Sequence, residues 1–211
     1  MFAPGASAFL MRLINLFTLL RPVPLPLIVA LTLVPWLAGC ATARNGTQSS
    51  ARVDAGPLKT VSYVDLARYM GDWRVIANIP YFAEKGCVDS IETYGAREDG
   101  RIDNIFTYRK QSFDAPQKQV RAIARVYNKV TNAEWRIRFF GIITAKYLVL
   151  DLDPDYQWTV VGHPSRRYGW IMARGKTLPA PIYQGILDRL AAQGYDPKAF
   201  VMVPQQREQM P

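Results

Sequence analysis

Few residues in this 211-residue chain could carry covalent or metal chemistry. It holds two cysteines and one histidine, which cannot supply the Cys/His ligand set of a structural zinc site. Cys87 follows Gly86 in a predicted loop, and nothing near it in the sequence supplies the base that would activate a thiol. It reads as a spectator. His163 sits in a predicted turn beside Pro164 and reads as a surface residue rather than a metal or haem ligand. There is no Ser-His-Asp set, no paired-carboxylate signature and no phosphate-binding loop. The expectation is therefore a protein that is not an enzyme and needs no cofactor and no metal. The chemistry that remains is non-covalent. Small residues (Val120, Ala122, Ala124) on one segment and rings (Phe106, Tyr108, Trp135, Phe139) on others could together wall an apolar space.

Cys40 stands apart. Residues 1–39 contain Arg12 and Arg21 and no acidic residue, and an apolar stretch from Val23 runs into Leu37-Ala38-Gly39-Cys40. A basic start, an apolar middle and small residues before a cut describe an export signal; Met1 and Met11 both offer a start. The last four residues resemble the lipobox of bacterial lipoproteins. That resemblance implies cleavage before Cys40 and a diacylglycerol on its sulfur, a membrane anchor that holds firmly once more than one acyl chain is attached. Ala41 lacks the Asp that commonly retains such proteins at the inner membrane, so the resemblance favours the outer membrane of a Gram-negative cell, with the body facing the periplasm.

Residues 40–60 turn to Ala, Ser, Thr, Gly, Asn and Gln and read as a lipidated cysteine with a flexible tether, spanning on the order of 25 Å. Residues 61–211 are left for one compact domain with a sizeable core. No other apolar run reaches the roughly 20 residues that a spanning helix needs, which excludes a polytopic membrane protein. The formal net charge is +9, with basic residues spread along the chain rather than in runs. A surface of anionic headgroups is the natural partner for that charge, and nucleic acid is not expected outside the cytoplasm.

The elements that must position the apolar faces are strands. After a short helical turn at Asp65–Met70, Trp73, Val75, Ala77 and Ile79 alternate with other residues. The same two-residue period recurs over Ile102–Arg109, Val120–Val126 and Glu134–Phe139. Val88–Tyr94, Tyr147–Asp151, Tyr156–Val161 and Tyr168–Arg174 add four more, separated by turn signals such as Glu98-Asp99-Gly100 and Asp153-Pro154-Asp155. Eight closely spaced strands favour an up-and-down antiparallel barrel, which leaves no unpaired edge and an interior that holds one small ligand. Ile182, Ile186, Leu187 and Leu190 recur at helical spacing before Gly194, so one C-terminal α-helix packs outside the barrel. Phe200–Val203 forms a last short strand. Glu92 depends on register: if Tyr94 points inward, so does Glu92; in the other register it is solvated.

This arrangement resembles the lipocalins, in particular the bacterial outer-membrane lipoproteins and the apolipoprotein D-like branch. Gly71-Asp72-Trp73 matches the Gly-x-Trp at the first strand, Asp153-Pro154-Asp155-Tyr156 the turn between the sixth and seventh, and Arg174 the basic residue after the eighth. The resemblance covers roughly residues 60–205. It implies an all-β lipocalin domain in which Gly71, Trp73 and Arg174 form a barrel-closing motif, the guanidinium stacking on the indole while donating to nearby carbonyls. It places Tyr81 and Phe82 on the loop beside the barrel mouth, and adds them to Phe106, Tyr108, Ala122, Trp135 and Phe139 as candidates for the cavity wall. It also implies the ligand class, a fatty acid or lysophospholipid, carried or stored for maintenance of the cell envelope. Two other readings stay open: a lipocalin-fold enzyme acting on a bound lipid, and a structural envelope protein whose barrel is filled. Pairing with a copy of itself, as a homodimer, is left open too.

Overall fold

A computed structural model describes residues 56–139 and 141–206. The export signal, Cys40 and the tether up to residue 55 lie outside the described residues. The described residues fall within one compact unit, and both hydrophobic clusters of the described chain are closed within it.

Eight strands make the barrel: β1 (Gly71–Ile79), β2 (Cys87–Ala96), β3 (Ile102–Lys110), β4 (Lys118–Val126), β5 (Glu134–Phe139), β6 (Ile143–Leu152), β7 (Trp158–Gly162) and β8 (Gly169–Ala173). Every neighbour is antiparallel, and β1 closes the cylinder by pairing with both β8 and β2. The two-residue β9 (Val201–Met202) adds to the far half of β1, at Ala77 and Asn78. A short helix α1 (Leu66–Tyr69), capped by the Asp65 carboxylate on the amides of Ala67 and Arg68, precedes β1. Helix α2 (Ala180–Ala192) follows the barrel.

Strands tilt in a closed barrel, so a row of register partners climbs around the wall rather than staying level. One such row runs Tyr94, Asn104, Ala122, Phe139 and Ile143. The inward set packs as one cluster that includes Trp73, Val75, Tyr94, Ala122, Ala124, Trp135, Ile137, Tyr147 and Val149. Outside, Ala77, Leu148, Leu150, Val160 and Ile171 meet Ile186 and Leu190 of α2. Tyr195 fastens the helix end: its hydroxyl donates to the carbonyls of His163 and Tyr168 and accepts from the His163 amide. Gly162 leaves the room for this, since a Cβ there would lie 2.4 Å from that hydroxyl and 2.5 Å from Leu150 Cδ1.

Four local readings change. The period in β1 breaks at a bulge between Val75 and Ala77. Past it Ala77 and Ile79 join the outer cluster, while Asn78 bonds Glu84 in the interior; one extra residue flips every later side chain to the other face. Tyr156, expected to open a strand, sits at φ 58° in the β6–β7 turn. β6 starts at Ile143 rather than near Tyr147, because its first residues are exposed and show no alternation. Residues 56–60, expected in the tether, run along the body: Leu58 packs on the outer cluster and the Lys59 amide donates to Gln193.

Candidate ligand-binding site

The floor is built by α1, the start of β1, the end of β8 and the β6–β7 turn. Gly71 has φ +91°, and a Cβ there would come within 3.4 Å of the Arg174 guanidinium; a side chain would be strained and crowded at once. Trp73 is fully buried, with its indole N–H donating to the Tyr69 carbonyl at 2.8 Å. Arg174 lies over that ring, its Cζ 3.7 Å from the centroid. The guanidinium donates to the carbonyls of Arg68, Met70 and Asp72 at 2.8–2.9 Å. One side chain thereby satisfies the C-terminal carbonyls of α1 and covers the indole. On the same end Tyr156 Oη accepts from the Asp65 amide, and Arg68 stacks on the Tyr156 ring while donating to the Pro154 carbonyl.

Above Trp73 the lower barrel is solid aromatic. Tyr69, Trp73, Tyr94, Trp135 and Tyr147 form a continuous group with centroids 5.0–6.0 Å apart. Their hydroxyls bond one another: Tyr147 donates to Tyr94 at 2.9 Å, and Tyr69 shares bonds with Tyr147 at 2.9 Å and with Thr159 at 3.2 Å. Buried hydroxyls need such partners, and burial pushes the Tyr69 phenol up to about 12. Trp135, expected on the cavity wall, has no accessible surface and belongs to this floor.

The other wall candidates stand higher. Ala122 faces inward between Asn104 and Phe139. Phe106 stacks on Tyr108 at 5.1 Å, and Phe106, Tyr108 and Phe139 keep part of their surface accessible. Tyr81 is half-buried and meets Phe82 and Tyr168 edge-on. Burial raises its phenol, and the carboxylates of Glu84 and Glu92 raise it further. Phe82 is 63% exposed on the rim.

The interior also carries acids, which an apolar cavity would not. Glu84 reaches back from the β1–β2 loop and accepts from Asn78 Nδ2 at 2.8 Å and from the Trp170 indole N–H at 3.2 Å. Lys110 Nζ donates to the carbonyls of Ala83 and Lys85, so the loop is tied down on both sides. Burial pushes the Glu84 carboxyl up to about 7, against the pull of Trp170, Asn78 and Lys110. Glu92 points inward on the face of Tyr94 and accepts from Asn104 Nδ2 at 2.5 Å. Burial, aided by the Glu84 charge, pushes its carboxyl up to about 8. Yet it retains accessible surface.

The histidine stands apart from the site, and the thiol borders it through Lys110. Cys87 is the first residue of β2, buried, with Lys110 Nζ 3.6 Å from its sulfur. Burial raises the thiol in spite of that lysine. His163 bonds Ser165 in the β7–β8 hairpin. Among the described residues no group of three His, Cys, Asp or Glu side chains could hold a metal ion.

Sequence reading missed Asn78, Glu84, Asn104, Lys110 and Trp170. A carboxylate two residues before Tyr94 was a usable signal for Glu92. None existed for Asn78, which the β1 bulge alone turns inward.

Comparison with known proteins gives a consistent result. A family model described as a lipocalin-like domain matches residues 64–205. The outer membrane lipoprotein Blc of Escherichia coli K12 is 29% identical over 173 residues, covering 82% of this chain and 97% of that protein. Temperature-induced lipocalin-1 of Arabidopsis thaliana is 29% identical over 159 residues, or 70% of this chain and 83% of that one. Apolipoprotein D of Macaca fascicularis is 26% identical over 188 residues, or 85% and 97%. Among solved structures, insecticyanin from the tobacco hornworm Manduca sexta superposes with a TM-score of 0.57 at 15% identity, over 71% of this chain and 85% of that one. The cockroach allergen Per a 4 gives 0.55 at 17% identity, over 72% and 97%. At such identities the structures speak for the fold alone.

Proposed function

Because this chain belongs to the lipocalin-like domain family, we propose that its barrel binds one single-chain lipid, a fatty acid or a lysophospholipid, and carries or stores it at the outer membrane of a Gram-negative cell. The observation that carries this reading is the gradient of accessibility inside the cylinder. Tyr69, Trp73 and Trp135 have none, whereas Phe106, Tyr108, Phe139, Trp170 and Glu92 higher up retain some. A sealed floor below a partly open upper half is a cup, and aromatic walls suit an acyl chain. The role is binding rather than catalysis: the thiol is raised rather than activated. The Gly71–Trp73–Arg174 group acts as the seal of the floor, and Cys40 as the lipid attachment point that keeps the cup at the membrane. The name of the Blc relatives, outer membrane lipoprotein, supports that location.

The two interior carboxyls bear on the choice of ligand. With its carboxyl raised to about 8, Glu92 is mostly neutral at pH 7 and tolerates a fatty-acid anion; once ionised it repels one. A lysophospholipid with an ammonium in its headgroup carries no net charge and escapes that penalty.

The test is displacement of a fluorescent fatty acid. The parent protein is expected to bind one equivalent, and Ala122→Trp, which fills the inward space beside Phe139, to bind at least tenfold more weakly, about 1.4 kcal/mol, with an unchanged fold by circular dichroism. Equal binding by a well-folded Ala122→Trp protein would place the ligand elsewhere and end the reading.

A further inference from the structure

The outer face of β3–β6 concentrates charge that the linear sequence scatters. A cleft of about 570 Å³ on this wall is lined by Arg97, Arg101, Arg121, Arg125, Arg136 and Arg138, with Asp103 as its one acid. Arg97 and Arg101 are neutralised by Asp99 and Asp103, and Arg136 by Glu134. Arg121, Arg125 and Arg138 are exposed and form no ion pair among the described residues; the one polar partner is Gln119, 3.4 Å from Arg121. Register makes this costly. Arg125 lies directly opposite Arg136, and Arg136 opposite Lys146, so three cations form one row across β4, β5 and β6. Like charges at facing positions destabilise a sheet. Glu134 compensates Arg136 alone, so with Arg121, Arg125 and Arg138 the wall carries an excess of positive charge that suits an anionic partner.

We propose that this wall docks on the phosphate layer of an anionic phospholipid bilayer. Three further observations favour a bilayer over a soluble polyanion. The wall ends at the mouth in the β5–β6 hairpin, whose Ile142 and Ile143 are 74% and 47% exposed; apolar tips beside cations are the pattern of interfacial membrane binding. The arginines are spread over several strands rather than converging on one point, which suits a field of headgroups. The described chain also starts at the mouth end, where the Gly56 carbonyl accepts from Arg166 of the β7–β8 hairpin, and the lipid attachment proposed at Cys40 precedes that point in the sequence. Docked in this way, the barrel lies with its β3–β6 wall against the bilayer and the β5–β6 edge of its rim beside it. The inference does not depend on what the lumen binds.

The experiment is vesicle co-flotation of residues 49–211, the compact unit that contains both cores and lacks the anchor. Binding to phosphatidylglycerol-containing vesicles is expected, weakening as salt is added, with none to pure phosphatidylcholine. R121Q/R125Q/R138Q is expected to bind at least tenfold more weakly, because each basic residue near an anionic surface adds to the attraction. K59Q/K129Q/K198Q, which removes the same charge from exposed positions off the wall, is expected to lose less than about threefold. The arginine variant should melt no lower than the parent, because the repulsion between Arg125 and Arg136 is relieved, and should still bind the fluorescent fatty acid normally. Equal losses in the two triple variants, equal binding to neutral vesicles, or capture of phosphate polymers without any vesicle binding would each overturn the proposal.

Discussion

Trp73→Ala is expected to lower the free energy of unfolding by about 3–5 kcal/mol, the range for deleting a fully buried large aromatic. The indole has no accessible surface, contacts the Tyr69 ring at 5.1 Å and lies under the Arg174 guanidinium. Its removal leaves a void that backbone on three sides, α1, β1 and β8, cannot collapse to fill. It also strips the Tyr69 carbonyl of its donor and leaves the guanidinium above an empty space. Arg174→Met, which keeps much of the volume, is expected to cost less, about 1–3 kcal/mol, through the orphaned carbonyls of α1 and β1. Urea titration of both variants checks the order. An unchanged midpoint for Trp73→Ala would mean that the ring does not seal the floor.

A rise in pH from 6.5 to 9 is expected to destabilise the protein. The Glu84 and Glu92 carboxyls stand at about 7 and about 8 in the folded chain, above an ordinary value of 4.5. Between those values the folded state holds protons that the unfolded state has released, so stability falls as pH climbs. Their contribution is fully present below 4.5 and is lost as pH passes through 7 and 8. After allowance for the coupling between the two acids, the loss is about 2–4 kcal/mol, or roughly 5–10 °C in melting temperature. His163, pushed down by burial and by the charges of Lys146 and Arg167, works in the opposite direction, but below this window. Glu92→Gln is expected to flatten the decline, and Asp155→Asn, on the exposed turn, to leave it intact. A melting temperature that holds constant or rises from pH 6.5 to 9 would contradict the burial of these acids.

What the sequence made legible was whatever repeats or stands at a fixed position in the chain. Alternation in β3, β4 and β5 reads directly because one face of each is wet, and the prolines and Gly194 bracket α2. Trp73 and Arg174, 101 positions apart, meet in the structure, and a resemblance alone had paired them. Irregularity stayed hidden. The β1 bulge moved Ala77 outward and Asn78 inward, and with Asn78 came the whole Glu84–Trp170 network, which no periodicity announces. Trp135 and Phe106 look alike as inward aromatics, but the climb of the register places one in the floor and the other on the wall. The arginine wall was equally invisible, since residues from Arg97 to Arg138 become neighbours only once four strands are in register.

The central claim is that the upper barrel is a cup for one acyl chain, and native mass spectrometry tests it most directly. Residues 49–211 would be incubated with a lipid extract of Gram-negative envelopes, separated from free lipid and ionised gently. The account predicts one single-chain lipid per protein, lost in Ala122→Trp. A folded parent protein that leaves the extract empty would contradict it.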